Sequence, residues 1–144
     1  MSEEPQSSLQ IQRALKPEFL THTKFEEFNL PAAVLSGLNE AGFTYCTPIQ
    51  AQTLPVLLTG RDVAGQAQTG TGKTAAFLVT VITRLLALPE KSSGLPSAII
   101  IAPTRELSRQ IYEEAKILAR NTGLSMAQVV GGVDYLKQAE ILRR

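Results

Sequence analysis

The residues with the clearest chemistry are Lys73 and Thr74, which close the stretch Ala67-Gln68-Thr69-Gly70-Thr71-Gly72-Lys73-Thr74. Glycines at 70 and 72 let a backbone fold into a concave nest whose amides point at phosphate oxygens. A lysine at the end of such a nest reaches the outer phosphates of a nucleotide, and the next hydroxyl is one ligand of nucleotide-bound Mg²⁺. Thr74 is therefore the metal-facing candidate. The stretch opens on Ala67, where the strictest pattern has glycine, an exchange that such loops accept. The bland alternative is a chance glycine-threonine turn. The flanks argue against it, because an apolar strand candidate leads in and a long helix candidate leads out, adding its positive end to the nest.

Further polar groups lie in suggestive places. Pro103-Thr104-Arg105 follows an apolar run and opens a helical pattern, and Gly131-Gly132 stands just before another. Loops beyond the carboxyl ends of parallel strands are where ligands gather in open sheets. On spacing alone, Arg105 and Arg109 also fit a solvated helix face paired with Glu106 or Glu113. What hydrolysis needs in addition is a carboxylate at a strand end to order Mg²⁺ and another to position water. Only two of the acids are aspartates, Asp62 and Asp134, and no apolar strand ends in Asp-Glu. Asp134 sits where a helix-capping role fits better.

The elements that must position these groups alternate. Val34, Leu35 and Leu38 predict a helix over 31–40 with Gly42 as its stop, and Thr47-Pro48 opens a second that Gly60 closes. Pro55 predicts a kink or early break inside it. Asp62–Gln66 reads as a strand, and Gly72–Leu88 as a helix packed on several sides and ended by Pro89. Residues 91–96 read as a loop. The β-branched run Ser97–Ala102 reads as a strand covered on both faces. A helix from Thr104 to Gly123, a strand over Met126–Val130 and a polar helix from Asp134 complete the pattern. Strand and helix in alternation predict an α/β fold, a parallel sheet with helices on both faces. Residues 1–22 read as a flexible tail, with a short helix near Leu9–Leu15, and order is expected from about Phe25.

Composition narrows the classes. Fourteen Lys and Arg against thirteen Asp and Glu give a net charge of +1, too little to hold nucleic acid by bulk charge alone. Cys46 and His22 are the only residues of their kinds, which excludes a disulfide framework and a Cys/His zinc cluster. No apolar run approaches the ~18 residues of a membrane span. The acidic, polar start Met1-Ser2-Glu3-Glu4-Pro5 is unlike a secretory signal. A reduced, cytoplasmic chain is expected, with Cys46 as a small buried residue.

Three ordered segments together carry a resemblance. Gly42-Phe43-Thr44-Tyr45-Cys46-Thr47-Pro48-Ile49-Gln50, the phosphate loop, and Pro103-Thr104-Arg105-Glu106-Leu107-Ser108-Arg109-Gln110 resemble the Q motif, motif I and motif Ia of the DEAD-box RNA helicases. Gly131-Gly132 is similar to that family's glycine pair. The wording around the phosphate loop is nearest to bacterial members, including the type associated with the RNA degradosome.

The resemblance implies a RecA-like lobe of a P-loop NTPase over 23–144, with the Q motif at 25–50, the phosphate loop at 67–74 and motif Ia at 103–110. It implies ATP and Mg²⁺ as cofactors and RNA as partner, with RNA-degradation or ribosome-assembly proteins as further partners. Gln50 is implied to read adenine, since a carboxamide matches the donor–acceptor pattern at N6 and N7 whereas guanine shows two acceptors. Phe25 is implied to stack on the base. Pro103, Thr104, Arg105, Gly131 and Gly132 are implied to touch the RNA backbone, and so to carry no sequence preference. The family's Asp-Glu-Ala-Asp motif and second lobe are missing, so the chain reads as the front of a longer ATP-dependent helicase, inactive in hydrolysis alone and prone to exposed sheet edges. Two other readings stay open: a non-enzymatic RNA- or protein-binding module keeping a relic site, and another P-loop enzyme such as a small kinase.

Overall fold

The computed structural model describes residues 17–89 and 95–142. Apolar spacing at Val34, Leu38 and Ala41 gives helix α1 (Ala32–Ala41) a buried face. Gly42 ends it in the left-handed region at φ 85°, where any other residue would be strained. Thr47 and Pro48 start α2 (Pro48–Leu58) where the sequence places it. Helices α3 (Lys73–Leu86), α4 (Arg105–Leu118) and α5 (Tyr135–Leu142) follow. Thr104 caps α4 by accepting from the Leu107 amide at 3.1 Å. Asp134 caps α5 by accepting from the Leu136 amide at 2.9 Å, the role its position suggested.

Helix α3 is the hub. It packs against α2, α4 and α1, and α1 also lies along α4. Its buried side chains Ala75, Ala76, Leu78, Val79, Thr80 and Ile82 cover more than one face, as the apolar run predicted. Of these, Ala75, Leu78, Val79 and Ile82 join Phe25, Phe43, Leu54 and Leu118 in one core. Where α1 crosses α4, a Cβ on Gly37 would collide with the backbone carbonyl of Leu118, so only glycine permits the approach.

Three expectations meet different outcomes. Of the kink or early break expected at Pro55, the break does not occur, since α2 continues to Leu58. Its packing on α3 holds the turn together against a proline penalty of about 3 kcal/mol in a helix interior. Attachment to the body begins before Phe25: Thr21 donates to the Cys46 carbonyl at 2.8 Å and the Cys46 amide donates to the Thr23 carbonyl at 2.8 Å. An antiparallel bridge between Lys24 and Tyr45 extends this pairing. The suggested helix at 9–15 lies outside the described residues, as does most of the 91–96 loop.

The third concerns the sheet, which the described residues do not show. None of the segments 62–66, 97–102 and 126–130 forms a ladder among the described residues. Ile99 and Ile101, expected under cover on both faces, are 79% and 90% exposed. Between Leu124 and Val130 burial alternates residue by residue, the pattern of a strand with one covered face, yet no strand ladder forms with it among the described residues. A strand's backbone bonds come from another strand, and no ladder joins these three segments among the described residues.

Candidate nucleotide and phosphate-backbone sites

The phosphate loop sits at the amino end of α3. Gly70 and Gly72 have φ of 80° and 84°, the left-handed conformation that a nest requires. Lys73 begins the helix, and no acid occupies its first turn to repel an anion. The Lys73 ammonium donates to two carbonyls of its own loop, those of Ala67 and, at 2.7 Å, Gln68. Thr71 Oγ1 also donates to the Gln68 carbonyl at 2.8 Å. The loop thus folds around its lysine, and phosphate oxygens would take the place of these carbonyls. Thr69 stands exposed on the loop, and Thr74 lies half-buried in the first turn of α3. Positive-φ glycines, a helix end and a lysine at one point fit the triphosphate of a nucleotide.

Helix α2 holds the loop from behind. Thr47 Oγ1 donates to the Thr71 carbonyl at 2.7 Å, and Gln50 Nε2 donates to the Gly72 carbonyl at 3.1 Å. Gln50 Oε1 accepts from the Thr47 amide at 2.9 Å, so one carboxamide caps α2 and clasps the loop. Gln50 is fully buried. Sequence reasoning placed Thr47 only as a cap and missed its grip on Thr71. The three-residue spacing of a capping box was the available signal.

Phe25 belongs to the core rather than to an open base-stacking shelf. It is 1% exposed and meets Phe43 edge to face, with ring centroids 5.9 Å apart. In this conformation neither ring face is uncovered for a base. Cys46 is buried as expected, and burial pushes its thiol up from 9.0 to about 12, with the charge of Glu27 adding to the effect.

A second cluster forms where α4 and α5 begin. The Arg105 guanidinium lies over Gly132: a Cβ there would stand 2.5 Å from Arg105 Nη2. Gly132 has φ of 73°, and Gly131 faces open space. Pro103, Thr104 and Arg105 are exposed beside them. The structure therefore brings together groups 27 positions apart in sequence (132 − 105). Arg109 instead takes the solvated-face role, donating to Glu106 at 2.8 Å. Its hydrogen bond, followed by that of Gln110, holds the Glu106 carboxyl below the usual range. Sequence reasoning missed Gln138, whose carboxamide bonds the backbone of Val130, and the link from Gln128 to Ser108 Oγ at 3.0 Å.

Among the described residues no group of three or more His, Cys, Asp or Glu could hold a metal ion. Asp134 is engaged as a cap and Asp62 is exposed ahead of the loop.

Comparison with known proteins defines the class. The family described as DEAD/DEAH box helicase matches residues 47–144. This chain belongs to that family. It is 56% identical over 128 residues to the ATP-dependent RNA helicase RhlB of Xanthomonas axonopodis pv. citri (strain 306), covering 87% of this chain and 22% of that protein. It is 52% identical over 127 residues to RhlB of Vibrio atlanticus (strain LGP32), covering 86% of this chain and 29% of that one. Among solved structures it resembles the RNA helicase Prp28 from Chaetomium thermophilum bound to ADP, with a TM-score of 0.75 and 38% identity over 86% of this chain and 30% of that one. A DEAD box protein from Methanococcus jannaschii matches with a TM-score of 0.73 and 35% identity over 83% of this chain and 32% of that one. The chain thus spans less than a third of each of these proteins.

Proposed function

We propose that this chain is the nucleotide-gripping front of an ATP-dependent RNA helicase, acting in the cytoplasm on RNA without sequence preference. The observation that carries the reading is the clasped phosphate loop, in which Lys73 and two positive-φ glycines meet at the start of α3 while Thr47 and Gln50 secure the loop's far side. Lys73 would hold the outer phosphates of ATP, and Thr74 would offer its hydroxyl to the accompanying Mg²⁺. Adenine selection would rest on Gln50 turning its carboxamide, buried here between the Thr47 amide and the Gly72 carbonyl, toward the base, as Phe25 would contribute only if its ring were uncovered. Bound ATP supplies the cleavable phosphoanhydride, and the residues here bind and orient it without activating water.

Pro103, Thr104, Arg105, Gly131 and Gly132 would meet RNA phosphates, supported by the approach of Arg105 to Gly132. The segments 62–66, 97–102 and 126–130 would be strands of a parallel sheet in the whole protein. Partners in RNA degradation or ribosome assembly rest on the bacterial wording of the phosphate loop alone.

Phosphate release tests this. The 144-residue chain should bind Mg-ATP yet release no phosphate, with or without single-stranded RNA. A chain extended through an Asp-Glu-Ala-Asp motif and second lobe should show RNA-stimulated release that Lys73→Ala abolishes. Release from the short chain that Lys73→Ala removes would show that its own residues activate water after all.

A further inference from the structure

We propose that Gln138 is a positioning residue for the phosphate-backbone site, and this rests on the RNA reading given above. Its carboxamide pairs with both backbone groups of Val130 and also reaches Val133. The Val130 amide donates to Gln138 Oε1 at 2.8 Å, and Gln138 Nε2 donates to the Val130 carbonyl at 3.1 Å and to the Val133 carbonyl at 3.4 Å. That two-way exchange is what a facing residue supplies in an antiparallel pair. Here a side chain supplies it to a segment that no strand pairs. The three bonds bracket Gly131-Gly132, so the turn is fixed at both ends. One turn of α5 thereby decides where Gly132 lies beneath the Arg105 guanidinium.

Carboxamide chemistry is what the arrangement demands, because it needs an acceptor and donors on one planar group. Leucine offers neither. Glutamate keeps the acceptor but turns a carboxylate toward the Val130 and Val133 carbonyls. Both replacements should free the turn. RNA binding then has to order it again, which weakens affinity about tenfold if roughly one hydrogen bond's net worth is forfeited.

The experiment measures binding of the 144-residue chain to a fluorescent oligouridylate by anisotropy and to Mg-ADP by calorimetry, for wild type, Gln138→Leu, Gln138→Glu and Arg105→Ala. Gln138→Glu keeps the test alive should the leucine variant fold poorly. The expected result is that all three variants lose RNA affinity while Mg-ADP affinity stays within about twofold of wild type. A double variant carrying Gln138→Leu and Arg105→Ala, measured alongside them, should lose little more than Arg105→Ala alone, since the two act through one turn. Loss with Arg105→Ala but not with either Gln138 variant overturns this inference and leaves the RNA reading intact. Equal loss of RNA and Mg-ADP binding in both Gln138 variants also overturns it, since general loosening would then be the cause. No RNA binding by wild type, or full binding by Arg105→Ala, sinks the RNA reading and the role of Gln138 with it.

Discussion

Gln50 shows how much a residue's type reveals and how much only its surroundings do. Its carboxamide and its place after Thr47-Pro48 were readable, but the bond to the Gly72 carbonyl depends on how α2 lies beside the phosphate loop. Replacing Gln50 by Ala should therefore weaken nucleotide binding by about 1–3 kcal/mol, because a buried carbonyl and the Thr47 amide lose their partner. Titration calorimetry with Mg-ATP checks this; unchanged affinity would mean the clasp is ornamental. Phe25 illustrates the opposite case. An aromatic at that position is compatible with stacking or with the core, and contact with Phe43 decides for the core here. Cys46 carries a pH signature. Its folded thiol titrates near 12 against 9.0 ordinarily, so its contribution to stability is complete below pH 9 and disappears as pH rises through the folded value. Alkaline denaturation curves should show wild type losing stability relative to Cys46→Ala between about pH 9 and 12. Parallel curves across that window would contradict it.

Helices were legible because their ends are written in single residues. Gly42, Thr47-Pro48, Thr104 and Asp134 each supply a stop or a cap that acts locally. Strands were not, because the β-branched run at 97–102 states a demand for cover without naming what covers it. Pro55 marks the same divide: a local penalty was readable, and the packing of α2 on α3 that outweighs it was not. At the crossing of α1 and α4 the sequence held a plain glycine, and only the structure shows why. Gly37→Ala should destabilise the chain by about 1–3 kcal/mol, since a Cβ there must push two helices apart. Urea unfolding of the variant measures this, and a midpoint equal to wild type would deny the close contact.

For the molecule as a whole, charge and site agree. A net charge of +1 leaves recognition to local groups, and the structure gathers them at two helix starts, around Lys73 and around Arg105. No helix among the described residues is long and apolar enough to cross a membrane. Ile99, Ile101 and Val129 are exposed among the described residues. The central claim is that the loop at 67–74 seats a purine triphosphate through Lys73 and that Gln50 prefers adenine. Calorimetric titration of the folded chain with Mg-ATP and Mg-GTP, in wild type and Lys73→Ala, addresses both at once. Saturable Mg-ATP binding stronger than Mg-GTP binding, and lost in Lys73→Ala at unchanged helix content, is the predicted result. No heat from a demonstrably native wild type at millimolar nucleotide, or equal binding by Lys73→Ala, would contradict it.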